Sequence, residues 1–89
     1  MKILYGKQFS KDLEDNRLEK NIKNRLLKQI EIIKITKSLL ELKDLKKIEG
    51  YSGYYRIRIR DYRLGVKFSN HRVELIRFLH RKDIYRRFP

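Results

Sequence analysis

Apolar residues recur in two different rhythms along this chain. Phe9 and Leu13 stand four apart, and Leu18, Ile22, Leu26, Ile30 and Ile33 continue at three or four, the spacing of one helix face. The pattern predicts two helices, over about residues 8–16 and 18–37. The longer one also carries Leu27, Ile32 and Ile35, a stripe wider than a coiled-coil seam and suited to lying flat on a sheet. Ahead of the helices, the run MKILY before Gly6 reads as an opening strand over Met1–Tyr5.

After a connector, LLELKDLKKIE, that fits a helical end or an irregular link equally, Gly50 and Gly53 mark a turn. The period then drops to two. Tyr55, Ile57 and Ile59 alternate with Arg56, Arg58 and Arg60; beyond Asp61, Tyr62, Leu64, Val66 and Phe68 alternate with Arg63, Gly65 and Lys67. Two half-buried strands joined as a hairpin follow, with Arg60-Asp61 at the tip. An arginine there resists the positive φ that glycine adopts freely. Ser69-Asn70-His71 reads as a second turn and Val73–Leu79 as a third strand. Leu75 and Ile76 are adjacent and apolar, so that strand is either central or bulged. The order of elements implies an α+β fold: an N-terminal strand, then two helices on one face of a mostly antiparallel sheet that three C-terminal strands complete. The opposite sheet face is expected to be open and rich in arginine.

Composition narrows the function. A length of 89 residues suits one domain, 1–89, with a small core. With no cysteine there is neither a disulfide framework nor a thiolate metal site, which points to a cytoplasmic setting. No run reaches membrane-span length, and no helix sets large aromatics opposite a basic face, so no membrane partner is expected. The net charge of +13 favours polyanions. Its character changes along the chain: residues 1–50 hold eleven Lys and two Arg, residues 51–89 nine Arg and two Lys. Arginine's planar fork suits phosphate, so the second half is the expected site.

Templates for cofactor-dependent or nucleophilic enzymes are missing: no Gly-rich phosphate loop, no HExxH and no cysteine nucleophile. What remains is Arg56, Arg58, Arg63, His80, Arg81, Lys82, Asp83 and Tyr85. Such residues can cleave RNA without a metal or cofactor. Transfer of a phosphoryl group to the adjacent 2′-hydroxyl needs cations beside the pentavalent phosphate, which guanidinium groups supply without losing a proton. It also needs proton transfer, for which Tyr85, His80 and Asp83 are candidates, since positive neighbours favour a group's less positive state. Each piece has a plainer reading: arginines on a strand face as solvated edge protection, Tyr85 and Phe88 as pins for the C-terminus, and His80 as a structural histidine.

The segments LKKIEG, SGYYRIRIRDYRLGVKF and LHRKDIYRRF together resemble the RelE/ParE superfamily of type II toxin–antitoxin toxins, in its RelE-like branch. The resemblance implies the RelE fold and an endoribonuclease that cleaves messenger RNA in the ribosomal A site. Its implied partners are a cognate antitoxin, that message and ribosomal RNA. Carried over by position, Arg56, Arg58, Arg63 and Arg81 bind the scissile phosphate and Tyr85 orients or activates the 2′-hydroxyl; Arg58 also assists the leaving oxygen. His80, Lys82 and Asp83 are secondary candidates. The chain departs from the family in placing Arg60 where glycine is common, and in a shorter spacing between Arg81 and Tyr85. A ParE-like inhibitor of DNA gyrase would share the fold, and a non-catalytic RNA-binding module is a third reading.

Overall fold

A computed structural model describes residues Met1–Pro89. Five strands form one sheet: β1 (Lys2–Tyr5), β2 (Leu45–Lys47), β3 (Tyr54–Ile59), β4 (Tyr62–Ser69) and β5 (Arg72–His80). Their spatial order is β1-β5-β4-β3-β2, with β1 parallel to β5 and the other pairs antiparallel. Helices α1 (Lys7–Asp12) and α2 (Lys20–Ile35) cross from β1 to the far side of the sheet. A third helix, α3 (Arg81–Arg87), follows β5 directly.

The two rhythms explain the main packing. Ile57, Ile59, Leu64, Val66, Val73, Leu75 and Phe78 line one sheet face, and Phe9, Ile22, Leu26, Ile30 and Ile33 cover it from the helices, with Leu18 from the link between them. Each fully buried aliphatic or aromatic side chain contributes about 1.5–3 kcal/mol. The helical stripe is narrower than the sequence suggests: Leu27, Ile32 and Ile35 are exposed. They lie outside the arc formed by Ile22, Leu26, Ile30 and Ile33.

Both helices are shorter than their periodicity predicts. α1 stops at Asp12 because that carboxylate is committed across the molecule: it accepts from Arg77 Nε and Nη2, each at 2.9 Å, and from the Phe78 N–H at 2.8 Å. Asp15 then accepts from the Arg17 N–H in a tight turn. α2 ends at Thr36, which is extended, and the Met1 ammonium group donates to the carbonyl of Lys34 at 2.8 Å.

Three further features depart from the sequence reading. The ambiguous connector contains a 3₁₀ turn, Leu39–Glu41, and β2, so four strands rather than three follow the helices. Leu75 and Ile76 satisfy both alternatives at once: β5 lies between β1 and β4, and the register against β4 shifts at Gly65/Val66, leaving Ile76 as the extra residue. Arg60 does adopt a positive φ, 57°, as do Asn70 (49°) and His71 (60°) in the next two-residue turn. Positive φ at both turn positions is the type I′ arrangement, and Asn and His tolerate it better than most residues.

The second sheet face is not open. Residues 80–88 fold back across it, with Ile84 and Phe88 buried. Gly65 makes the docking possible, because a Cβ built on it would lie 2.8 Å from three Phe88 ring carbons. Phe88 also packs against Tyr54, centroids 5.8 Å apart. No helix is long and apolar enough to cross a membrane.

Candidate active site

Where α3 leaves the second face uncovered, the sheet register gathers cations. Lys46 pairs with Arg56 across β2 and β3, and Arg58 pairs with Arg63 across β3 and β4. Like charges directly opposite each other on a sheet repel, so this face stores electrostatic cost that an anion would relieve. Part of it is offset internally. Arg58 Nη2 donates to Asp44 Oδ1 at 3.0 Å, and Arg63 Nη1 donates to the carbonyls of Arg60 and Tyr62, both at 2.9 Å.

The first turn and a half of α3 brings Tyr85 over this cluster. The Arg56 guanidinium carbon sits 4.4 Å from the Tyr85 ring centroid, a cation–π contact that holds both side chains. Tyr85 itself is 64% exposed, so the ring stands at the surface rather than pinning the core; Ile84 and Phe88 do the pinning. Lys46, Arg56, Arg58, Arg63 and Tyr85 together line a cleft of about 330 Å³, with Asp44 among them.

Arg81 is placed apart. It lines a neighbouring cleft of about 570 Å³ between α2 and the β3–β4 tip, and Arg58 and Arg63 line both clefts. The five primary candidates therefore span two adjoining depressions that meet at the Arg58–Arg63 pair. The secondary candidates lie elsewhere. His80, Lys82 and Asp83 line a third cleft with Asp15, Arg17 and Tyr62, and none of the three lines the Tyr85 cleft. His80 starts α3: its Nδ1 accepts from the Lys82 N–H at 3.2 Å, and its ring meets Tyr62 edge-on. Asp83 accepts from Arg86. In that third cleft, hydrogen bonds from the Arg17 side chain and then its backbone hold Asp15 at a pKa of about 2, and burial pushes the Tyr62 phenol up. No group of three or more His, Cys, Asp or Glu side chains is placed to hold a metal ion.

Two residues of the Tyr85 cleft escape sequence reasoning. Asp44 has a positive φ of 62° and reaches Arg58 by both its carbonyl and its carboxylate. Lys46 belongs to a three-residue strand too short to recognise from its pattern. The LKK basic pair was the only signal for it.

Comparison with known proteins places this arrangement. Residues 3–85 match the family described as ParE toxin of type II toxin–antitoxin system. The chain belongs to that family. Toxin RelE3 of Methanocaldococcus jannaschii is 43% identical over 90 residues, covering all of both chains. The fold is also that of the toxin in a RelB–RelE antitoxin–toxin complex from Methanococcus jannaschii, at 41% identity and TM-score 0.81, over 97% of this chain and 99% of that one. An archaeal RelE–RelB complex from Pyrococcus horikoshii OT3 matches at 25% identity and TM-score 0.70, over 90% and 93%. The protein is thus a RelE-like toxin of a type II toxin–antitoxin system, and the RelE-like branch is the one its relatives occupy.

Proposed function

We propose that this RelE-like toxin is an endoribonuclease that cuts messenger RNA on the ribosome. The observation that carries the reading is the cleft in which Tyr85, stacked by Arg56, stands beside two opposed cationic pairs. In the reaction the message's own 2′-hydroxyl attacks the adjacent phosphorus and the 5′-oxygen leaves. One proton is removed from the first oxygen and one is delivered to the second. Arg56, Arg58 and Lys46 stabilise the extra negative charge on the phosphoryl oxygens, where preorganised donors contribute most. Arg63 holds the hairpin tip and adds charge from the side, and Arg81 engages the strand from the adjoining cleft. Tyr85 orients the 2′-hydroxyl. Arginine keeps its proton at any working pH, so the ribosome and message must help to arrange the proton path. The reading therefore calls for the ribosome as a partner in alignment, since alignment of the attacking group is itself worth several kcal/mol. His80, with Nδ1 already accepting from the backbone, serves as an α3 cap rather than a proton carrier.

Two of the solved relatives are complexes with RelB antitoxins, and the same logic gives this toxin a cognate antitoxin as its neutralising partner. The test compares cleavage of ribosome-bound and free message by the wild type, Arg81→Ala and Tyr85→Phe. Loss of one stabilising donor is expected to slow cleavage by about 10²–10³-fold, with free RNA cut poorly by all. Undiminished cleavage by both variants would remove these residues from the site. If the wild type leaves all RNA intact but blocks supercoiling by gyrase, the ParE-like reading replaces this one.

A further inference from the structure

We infer that the cleft between α2 and the β3–β4 tip is a separate binding track for RNA backbone, seated on α2 residues that play no part in the chemistry. Arg25, Lys28, Gln29 and Ile32 all line it, and their spacing puts them on one strip of α2, with Arg25 and Lys28 about one turn apart. Arg60 and Arg81 face them from the hairpin tip and the start of α3. The neighbouring arginines differ in availability. Arg58 and Arg63 are held by Asp44 and by backbone carbonyls, Arg60's among them, whereas the side chains of Arg25, Lys28, Arg60 and Arg81 make no hydrogen bond or ion pair within the molecule.

Six cations line this open cleft of about 570 Å³, four of them with unpartnered side chains, against the carboxylates of Asp44, which is paired with Arg58, and Asp61; the excess of four positive charges calls for a polyanion. RNA fits better than an acidic peptide, because the lining has only two apolar residues, Ile32 and Ile59, and Ile59 is buried. A peptide helix would need a row of apolar anchor pockets. Continuity adds to this, since the cleft meets the Tyr85 cleft at Arg58 and Arg63. A strand whose scissile phosphate lies beside Arg56 passes directly over the Arg58–Arg63 ridge towards α2. That RNA is the ligand rests on the nuclease reading. The contact itself is electrostatic and independent of sequence, as phosphate contacts are.

The test uses the full chain and a short 2′-O-methyl oligoribonucleotide, which lacks the attacking hydroxyl and so reports binding alone. Fluorescence anisotropy over a salt series gives the slope of log affinity against log salt. Each phosphate contact contributes about 0.7 to that slope for a single strand, so Arg25→Ala/Lys28→Ala is expected to flatten it by about 1.4 and to weaken binding at low salt. A control of equal charge change, Lys7→Ala/Lys37→Ala, removes exposed lysines that do not line the cleft and should leave the slope nearly unchanged. An unaltered slope in the α2 variant, or an equal change in the control, overturns the inference. So does a poly-glutamate peptide that binds the wild type through Arg25 and Lys28 while the oligonucleotide ignores them. Wild-type binding with the expected slope change but no cleavage of ribosome-bound message would sink the nuclease and leave the track standing.

Discussion

Replacing Gly65 by alanine tests how α3 delivers Tyr85 to the cleft. The added Cβ would lie 2.8 Å from three carbons of the Phe88 ring, about 1 Å inside ordinary carbon–carbon contact. The three distances are equal, which puts the Cβ over the face of the ring, so the whole ring must be displaced to make room, and Tyr54 lies close by. Overpacking of this kind costs about 1–3 kcal/mol, and the rigid geometry puts this case near the top. Alanine restricts the unfolded chain more than glycine does and returns about 0.4–1 kcal/mol, leaving a net loss of about 2 kcal/mol. The loss should fall on α3 first. With seven residues it is far below the length at which an isolated helix holds together, so it persists only while Ile84 and Phe88 are docked. Urea unfolding should show a lower midpoint at unchanged slope, and cleavage of ribosome-bound message should fall as it does for Tyr85→Phe. The double variant Gly65→Ala/Phe88→Ala should cost less than the sum of its parts, by about 1 kcal/mol or more, because the two groups collide. Strict additivity, or a Gly65→Ala protein of wild-type midpoint and activity, would refute the argument.

Other expectations follow from single contacts. Asp12→Ala leaves Arg77 charged and largely enclosed and strips the Phe78 N–H of its acceptor; a loss of about 3–5 kcal/mol is expected in urea unfolding. Arg60→Gly relieves a left-handed φ of 57°, worth about 1–2 kcal/mol, against about 0.5–1 kcal/mol for glycine's extra freedom, so thermal unfolding should shift up by a few degrees at most. Asp15 has a folded pKa of about 2 against an ordinary 3.8. A depressed carboxyl stabilises the fold above its unfolded value and loses that contribution as pH falls, so stability should decline between about pH 4 and 2, and Asp15→Asn should remove part of that decline.

Much of this was legible because the strand period was clean. Alternation from Tyr55 to Lys67 placed Arg56, Arg58 and Arg63 on one face, and their register across two strands followed from a two-residue tip. The Arg58–Arg63 pairing is a direct consequence of Ile59 meeting Tyr62. What escaped was short or distant. α3 has its apolar anchors four apart, at Ile84 and Phe88, but a segment that brief carries little periodic signal, and the arginine-rich face it covers reads as open without it. The displacement of His80, Lys82 and Asp83 into another cleft follows from that same helix, which turns successive residues to different sides. Asp12 and Arg77 meet from 65 residues apart, and no local pattern announces such a pair. The exposed Leu27, Ile32 and Ile35 show the converse, since apolar character at helical spacing does not by itself bring burial.

The parallel pairing of β1 with β5 joins residues 2–5 to residues 72–75. Closing so long a loop costs entropy before any contact repays it, and the sheet cannot be completed until β5 has been synthesised. Both cationic clefts also depend on what comes after it, since Arg81 and Tyr85 lie beyond the last strand. A nascent copy of this toxin therefore holds neither cleft through most of its translation. Both are assembled only once the segment that closes the sheet, and the short helix behind it, have been made.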